Sequence, residues 1–215
     1  MNKLNGGRTL YAQQIERILA KLRQLAQTDQ EYDIFGADSH HYKLEPVRTP
    51  EEIRQFEAAW RIDLPQDYRA FLLQAGAGGA GPYYGLEKPE DGVYADLNYK
   101  DLLNDVSGEF PFTEEWNPDV DWYDDDVSEE QIAELEKQYF SPEKSAGMLR
   151  ISNFGCGVTI NLIVKGQSCG EIWVDDRANS NGIYPDHYFA NKARLTFLDW
   201  YETWLDRSLE ELTED

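Results

Sequence analysis

Basic residues are scarce in this chain: 20 Lys and Arg stand against 41 Asp and Glu, a formal net charge of −21 over 215 residues. A field of that sign repels phosphate backbones and anionic membrane surfaces, which argues against nucleic-acid and membrane binding. It draws in basic partners and speeds their encounter. Cysteine is almost absent. Cys156 and Cys169 are too few to form a disulfide framework in a chain of this size. Their spacing leaves a single bridge open, but the expectation is two reduced, mostly buried thiols. No apolar run reaches the length of a transmembrane helix, and the opening residues lack the apolar segment of a secretory signal. The expected location is the cytoplasm.

Catalytic signatures are missing as well: there is no HExxH, no CxxC and no nucleophile elbow. The remaining acid–base candidates are His40, His41, His187 and the many carboxylates. His40-His41 reads as a surface or loop pair, and His187 as a turn residue. Asp175-Asp176-Arg177, after a strand, is either an active-site edge or a local carboxylate–guanidinium bridge. A paired-carboxylate hydrolase stays open as an alternative, but the expectation is a protein that is not an enzyme and needs no cofactor or metal.

What the chain does have is enough apolar material for a core: 41% hydrophobic residues, with 6 Trp, 13 Tyr and 9 Phe. Global disorder is therefore not expected despite the charge. Residues 8–27 predict an amphipathic helix, with Ile15, Ile18, Leu19, Leu22, Leu25 and Ala26 on one stripe. Residues 1–28 carry a net +4 and leave −25 for the rest. That asymmetry favours a basic helix clamped on an acidic body, with a separate acidic partner as the alternative. Asp29 to Pro46 reads as a connector of mixed polarity, with room for a short strand.

Thr49-Pro50-Glu51-Glu52 is a capping box, opening a helix with Ile53, Phe56, Glu57 and Trp60 on one face. Leu64-Pro65 ends it and starts another, with Tyr68, Phe71 and Leu72 on its stripe. Gly76-Ala77-Gly78-Gly79-Ala80-Gly81 matches GxGxxG literally. The match fails on context, because a helix precedes it and Pro82-Tyr83-Tyr84-Gly85 follows. Helix termination and tight turns explain these glycines better. Later, 148–152, 158–164 and 171–174 read as strands, and Asn181-Gly182 marks a turn before Ile183-Tyr184-Pro185. Thr196 reads as the cap of a last helix whose Phe197, Trp200, Tyr201, Trp204 and Leu205 form one aromatic face. The expected fold class is α+β: an antiparallel β-sheet with helices packed on it, preceded by the N-terminal amphipathic helix.

From Asp101 to Glu136 there are fourteen acids and no Lys or Arg. An EF-hand registered on Asp119 and Asp121 would end at Glu130. It fails because Tyr123 sits at position five and Asp124 replaces the required glycine; a looser divalent site stays open. A solvated acidic loop is the plain reading, with Ser128 capping a helix over 129–140. The interleaved aromatics favour an interface. The candidate partner-binding residues are Glu114, Glu115, Trp116, Asp119, Asp121, Trp122, Tyr123, Asp124, Asp125 and Asp126.

These residues, taken together, resemble the SUKH superfamily, which includes the Smi/Knr-type regulators of fungi and many bacterial immunity proteins. The resemblance is carried by Ile53, Glu57, Leu64-Pro65, Tyr68, Phe71-Leu72, Gly78-Gly79, Gly81 and Tyr83-Tyr84-Gly85. It continues through Gly155-Cys156-Gly157, Gly170-Glu171-Ile172-Trp173, Asp175-Asp176-Arg177 and Phe197-Leu198-Asp199-Trp200-Tyr201. Pro111 to Asn117, PFTEEWN, is similar to the bacterial branch. The resemblance spans roughly residues 50–209. It implies an N-terminal helical extension and connector over 1–46, then a SUKH-like α+β domain over 47–215 with an acidic insertion at about 101–140. In bacteria it implies neutralisation of a cognate toxin, here expected to be basic, with a nuclease among the candidates, by stoichiometric occlusion. The alternative is a non-enzymatic regulatory or scaffold protein binding a cellular partner, as in the fungal members.

Overall fold

A computed structural model of the chain describes residues 4–95, 100, 102–118, 128–187 and 194–214. Among these the helices are α1 (Leu4–Thr28), α2 (Ala37–His40), α3 (Pro50–Trp60), α4 (Gln66–Gln74), α5 (Pro89–Gly92), α6 (Glu129–Tyr139) and α7 (Phe197–Glu214). The strands are β1 (Met148–Gly155), β2 (Val158–Ile163), β3 (Ile172–Asp175) and β4 (Ile183–Pro185), paired in the order β1-β2-β3-β4 and antiparallel throughout. The α+β architecture expected from the sequence is thus present, with its N-terminal helix.

Alternation along the strands sends side chains to two layers. Leu149, Ile151, Val158, Ile160, Leu162, Ile172 and Val174 join the helices in one continuous core. Met148, Ile163, Trp173 and Ile183 form a second cluster with Phe110 on the opposite side. Phe112 and Trp116, from the start of the acidic region, pack against that second cluster. Arg150 also lies on this second face and is 4% exposed. Its guanidinium donates to Glu87 Oε2 at 2.8 Å and to the carbonyls of Tyr94 at 2.7 Å and Asp91 at 3.1 Å. One side chain therefore fastens the segment around α5 to the sheet.

Local signals account for the helix starts. Thr49 accepts the Glu52 N–H while Glu52 accepts the Thr49 N–H, a complete capping box. Ser128 and Gln131 repeat the arrangement at α6. The start of α7 is less local. Thr196 Oγ1 reaches Asp199 Oδ2 at 3.3 Å, but the Leu198 N–H is accepted by Asp67 Oδ2, 131 residues earlier in the chain, at 3.1 Å. Asp67 is buried on α4, so the cap also ties two helices together.

The α1 stripe is buried at Ile15, Ile18, Leu22 and Leu25, while Ala26 faces solvent. Its polar flank is clamped on α7. Arg17 and Lys21 both bond Glu202, at 3.0 and 2.9 Å, Lys21 also reaches Asp206 at 2.6 Å, and Gln14 donates to Asp199 at 2.9 Å. Partial burial would raise the Glu202 carboxyl, but bonds from Arg17 and Lys21 hold it below the ordinary range. The basic helix thus lies on its own acidic body.

The glycine-rich turn is structural. Gly76 N–H closes α4 onto the Phe71 carbonyl at 3.2 Å. Gly79 has φ 89°, and a Cβ there would sit 2.3 Å from the Lys43 carbonyl oxygen. Bridges Leu44–Gly79, Gly79–Leu86 and Leu86–Ser152 carry the sheet outward from β1. The connector over 29–46 holds α2 and the Leu44 bridge rather than a strand of its own. The cysteines correct the expectation of burial: both are free and exposed, because both sit in turns between strands.

Candidate functional site

The acidic segment is rooted on the second face of the sheet at both ends. On the incoming side, Trp116 and Ile183 exchange N–H···O bonds of 2.7 and 2.8 Å, extending the sheet beyond β4. Phe110 packs edge-on against Trp173 with 4.9 Å between centroids. Phe112, Trp116 and Tyr139 stack in sequence at 5.2 and 5.3 Å. Lys144 Nζ lies 4.9 Å over the Trp116 ring, an electrostatic contact with the face of the indole.

The returning side is held by Arg177. It forks onto Asp175 at 2.8 and 2.6 Å and donates to the carbonyls of Tyr139 and Ser141, both at 3.2 Å. Those carbonyls lie at and just beyond the C-terminus of α6, where a cation is electrostatically favoured. Tyr139 Oη donates to Asn117 Oδ1 at 3.0 Å, and Asn117 donates to the Ser180 carbonyl at 3.0 Å. Asn117 and Tyr139, on opposite roots of the segment, are therefore directly bonded. A cavity of about 170 Å³ beside this bond is lined by Trp116, Pro118, Leu135, Gln138, Tyr139 and Lys144.

Of the predicted partner-binding residues, Trp116 is half-buried in this root. Glu115 is exposed. Glu114 is exposed, with Oε1 3.1 Å from Arg194. Asp119, Asp121, Trp122, Tyr123, Asp124, Asp125 and Asp126 lie outside the described residues, as does most of the tested EF-hand loop. The charge continues onto α6, where Glu129, Glu130, Glu134 and Glu136 are all exposed. Sequence reasoning missed the roots themselves, Tyr139, Lys144 and the reach of Arg177. Only the aromatic character of the first was a signal.

The acid–base candidates have structural partners. Arg177 bridges Asp175 as above. Asp176, 7% exposed, accepts from Asn179 at 2.6 Å, Asn181 at 2.8 Å and Tyr184 at 3.3 Å, shaping the β3–β4 turn. His187 is exposed beside Tyr184. Among the described residues no group of three or more His, Cys, Asp or Glu is arranged to hold a metal ion. No helix among them is long and apolar enough to cross a membrane.

His40 corrects the reading of a surface pair: His41 is exposed, but His40 is 8% exposed and its Nδ1 accepts the Tyr42 N–H at 3.0 Å. Burial pushes its imidazole down to about 4. A histidine depressed in the fold and ordinary when unfolded stabilises fully above pH 6.5 and loses that contribution as pH falls toward 4. Urea midpoints of the wild type should therefore decline between pH 6.5 and 5, and a His40→Gln variant should show a flatter profile there. Equal slopes would refute this account.

The model of the SMI1 / KNR4 family (SUKH-1) matches residues 48–186. No curated protein and no solved structure matches. The matched span runs from the α3 capping box through β4 and includes the acidic segment with both its roots. Helices α1 and α7 lie outside it, although the resemblance read from the sequence reached into α7. The match covers well over half of the chain, and the chain belongs to this family.

Proposed function

We propose that this SUKH-1 member is an immunity protein, acting in the cytoplasm by stoichiometric docking on a cognate toxin domain with a basic surface. Family membership supports a protein-binding rather than a catalytic role. The division proposed for the chain is a connector and helix over 1–46 and a body over 47–215, from which the acidic insertion emerges.

The observation that carries the reading is the double root of the acidic segment. Nine carboxylates between Asn117 and Glu136, without a Lys or Arg among them, would self-repel and spread if tethered loosely. Here the stack of Phe112, Trp116 and Tyr139 and the Arg177 fork fix the points from which the segment leaves and returns. An ordered base lowers the entropy lost when the segment meets a partner. Carboxylates presented this way can occupy a groove that a basic enzyme, such as a nuclease, uses for phosphates. Association should be steered by charge and slowed by salt.

Co-expression with the product of the neighbouring gene tests the proposal. The expected result is restored growth and a one-to-one complex. Substrate turnover by the purified chain alone, or a natural ligand that is itself an anion, would overturn it. A stable complex with a harmless cellular protein instead would favour the regulatory alternative.

A further inference from the structure

The loop between α1 and α3 presents a second surface. Residues 24–42 hold four acids and no Lys or Arg. The loop is built around Asp29, 2% exposed, which accepts the Asp33 N–H at 2.8 Å, the Ile34 N–H at 3.2 Å and the Tyr42 hydroxyl. Ile34 is buried beneath it. Gly36 has φ 79°, and a Cβ there would lie 1.8 Å from the Tyr83 carbonyl oxygen. Tyr32, His41 and Tyr42 also hold positive φ, a strained set that persists only when its surroundings over-determine it.

A loop fixed this firmly nonetheless leaves Phe35 49% exposed, beside Tyr84 at 45%. The Phe35 ring lies 5.3 Å from Tyr84 and 5.5 Å from Phe154, and Phe154 is backed by Tyr83 at 5.2 Å. Glu31, Asp33 and Asp38, on the same loop, are exposed. Tyr84 also lines a groove of about 530 Å³ with His40 and Glu87. Among the described residues, His40 Nε2 and Glu87 Oε1 are buried without a hydrogen-bond partner.

We infer that the Phe35–Tyr84–Phe154 surface is a second docking contact, taking an arginine-bearing segment of a basic protein partner. A guanidinium stacks on aromatic faces and pairs with carboxylates at once, and apolar neighbours of the arginine bury on the remaining rings. A second copy of the chain is the wrong occupant on charge, since each copy carries −21 and the surface lies on an acidic loop. The patch is also linked to the acidic segment through the sheet turns. Phe154 precedes the β1–β2 turn, where Asn179 bonds the Cys156 carbonyl at 3.3 Å, and Asn117 bonds the adjacent Ser180 at 3.0 Å. The inference rests on the docking reading above and adds to it a contact centred on Phe35, which precedes the matched family span.

Titration of the isotope-labelled full chain with an acetylated peptide of alternating arginine and leucine tests it, a glutamate–leucine peptide serving as control. The Phe35, Tyr84 and Phe154 ring signals should shift with the basic peptide alone. Phe35→Ser should weaken that binding about tenfold, the scale of losing an interface anchor. The double variant Asp33→Asn with Asp38→Asn, which keeps the rings, should weaken it as well. Shifts confined to Trp116 and Asn117 would overturn the inference and leave the acidic segment as the contact. So would a peptide that moves neither surface, or a dimer in sedimentation that Phe35→Ser dissolves. Ring shifts without growth rescue in co-expression would keep the inference and discard the immunity role.

Discussion

Replacing Arg150 with Met is expected to be among the most damaging single changes in the chain, at about 3–5 kcal/mol, the range for breaking a buried ion pair from one side. The variant would leave the Glu87 carboxylate, only 14% exposed, without its cation. It would also strip donors from the Tyr94 and Asp91 carbonyls. Burial already pushes the Glu87 carboxyl up, and Arg150 is what opposes that. Urea unfolding followed by circular dichroism measures the loss. Adding Glu87→Gln should recover part of it, because the unpaired charge goes with it. A loss below about 1 kcal/mol, the level of an exposed pair, would show that the guanidinium is not the fastening described.

Neutralising Asp119, Asp121, Asp124, Asp125 and Asp126 together to Asn should have the largest functional effect. The fold should tolerate it, since removing like charges relieves self-repulsion. Association with the partner should slow by about 10–100-fold at low salt, the scale of electrostatic steering. Raising ionic strength should slow the wild type toward the variant, because screening shortens the reach of the missing charges. Stopped-flow association rates at two salt concentrations decide it. Rates indifferent to both charge and salt would move the interface elsewhere, and the Phe35 surface would then be the contact to pursue.

The parts of this fold that were legible in the sequence are those written in short windows. The Thr49 and Ser128 caps are each completed within three residues, and both appear as expected. The α1 stripe and the aromatic face of α7 repeat every three or four residues, and periodicity reports burial directly. The strands were recognisable, with boundaries shifted by a few residues, because glycine-bearing turns separate them. What could not be read is what joins distant segments. Asp67 gives no sign in its own neighbourhood that it will cap α7. Arg150 looks like an interruption in an apolar strand until the segment at 87–95 is folded over it. Cys156 and Cys169 were misjudged because average cysteine burial outweighed their position in turns. For the candidate site, composition revealed the acidity at once. The roots could not be read, since Trp116, Tyr139 and Arg177 meet only when three separate stretches converge.

The pairing of α1 with α7 also sets an order on synthesis. Ile15, Ile18, Leu22 and Leu25 are made well before the helix that helps cover them, which is complete only after 186 further residues have been added beyond Thr28. At roughly 5–20 residues per second that is a delay of about 10–40 s, during which an apolar stripe flanked by Arg17 and Lys21 stands open. The nascent chain thus carries a sticky, cationic helix through that interval, a form suited to chaperone capture, and hides it when α7 arrives.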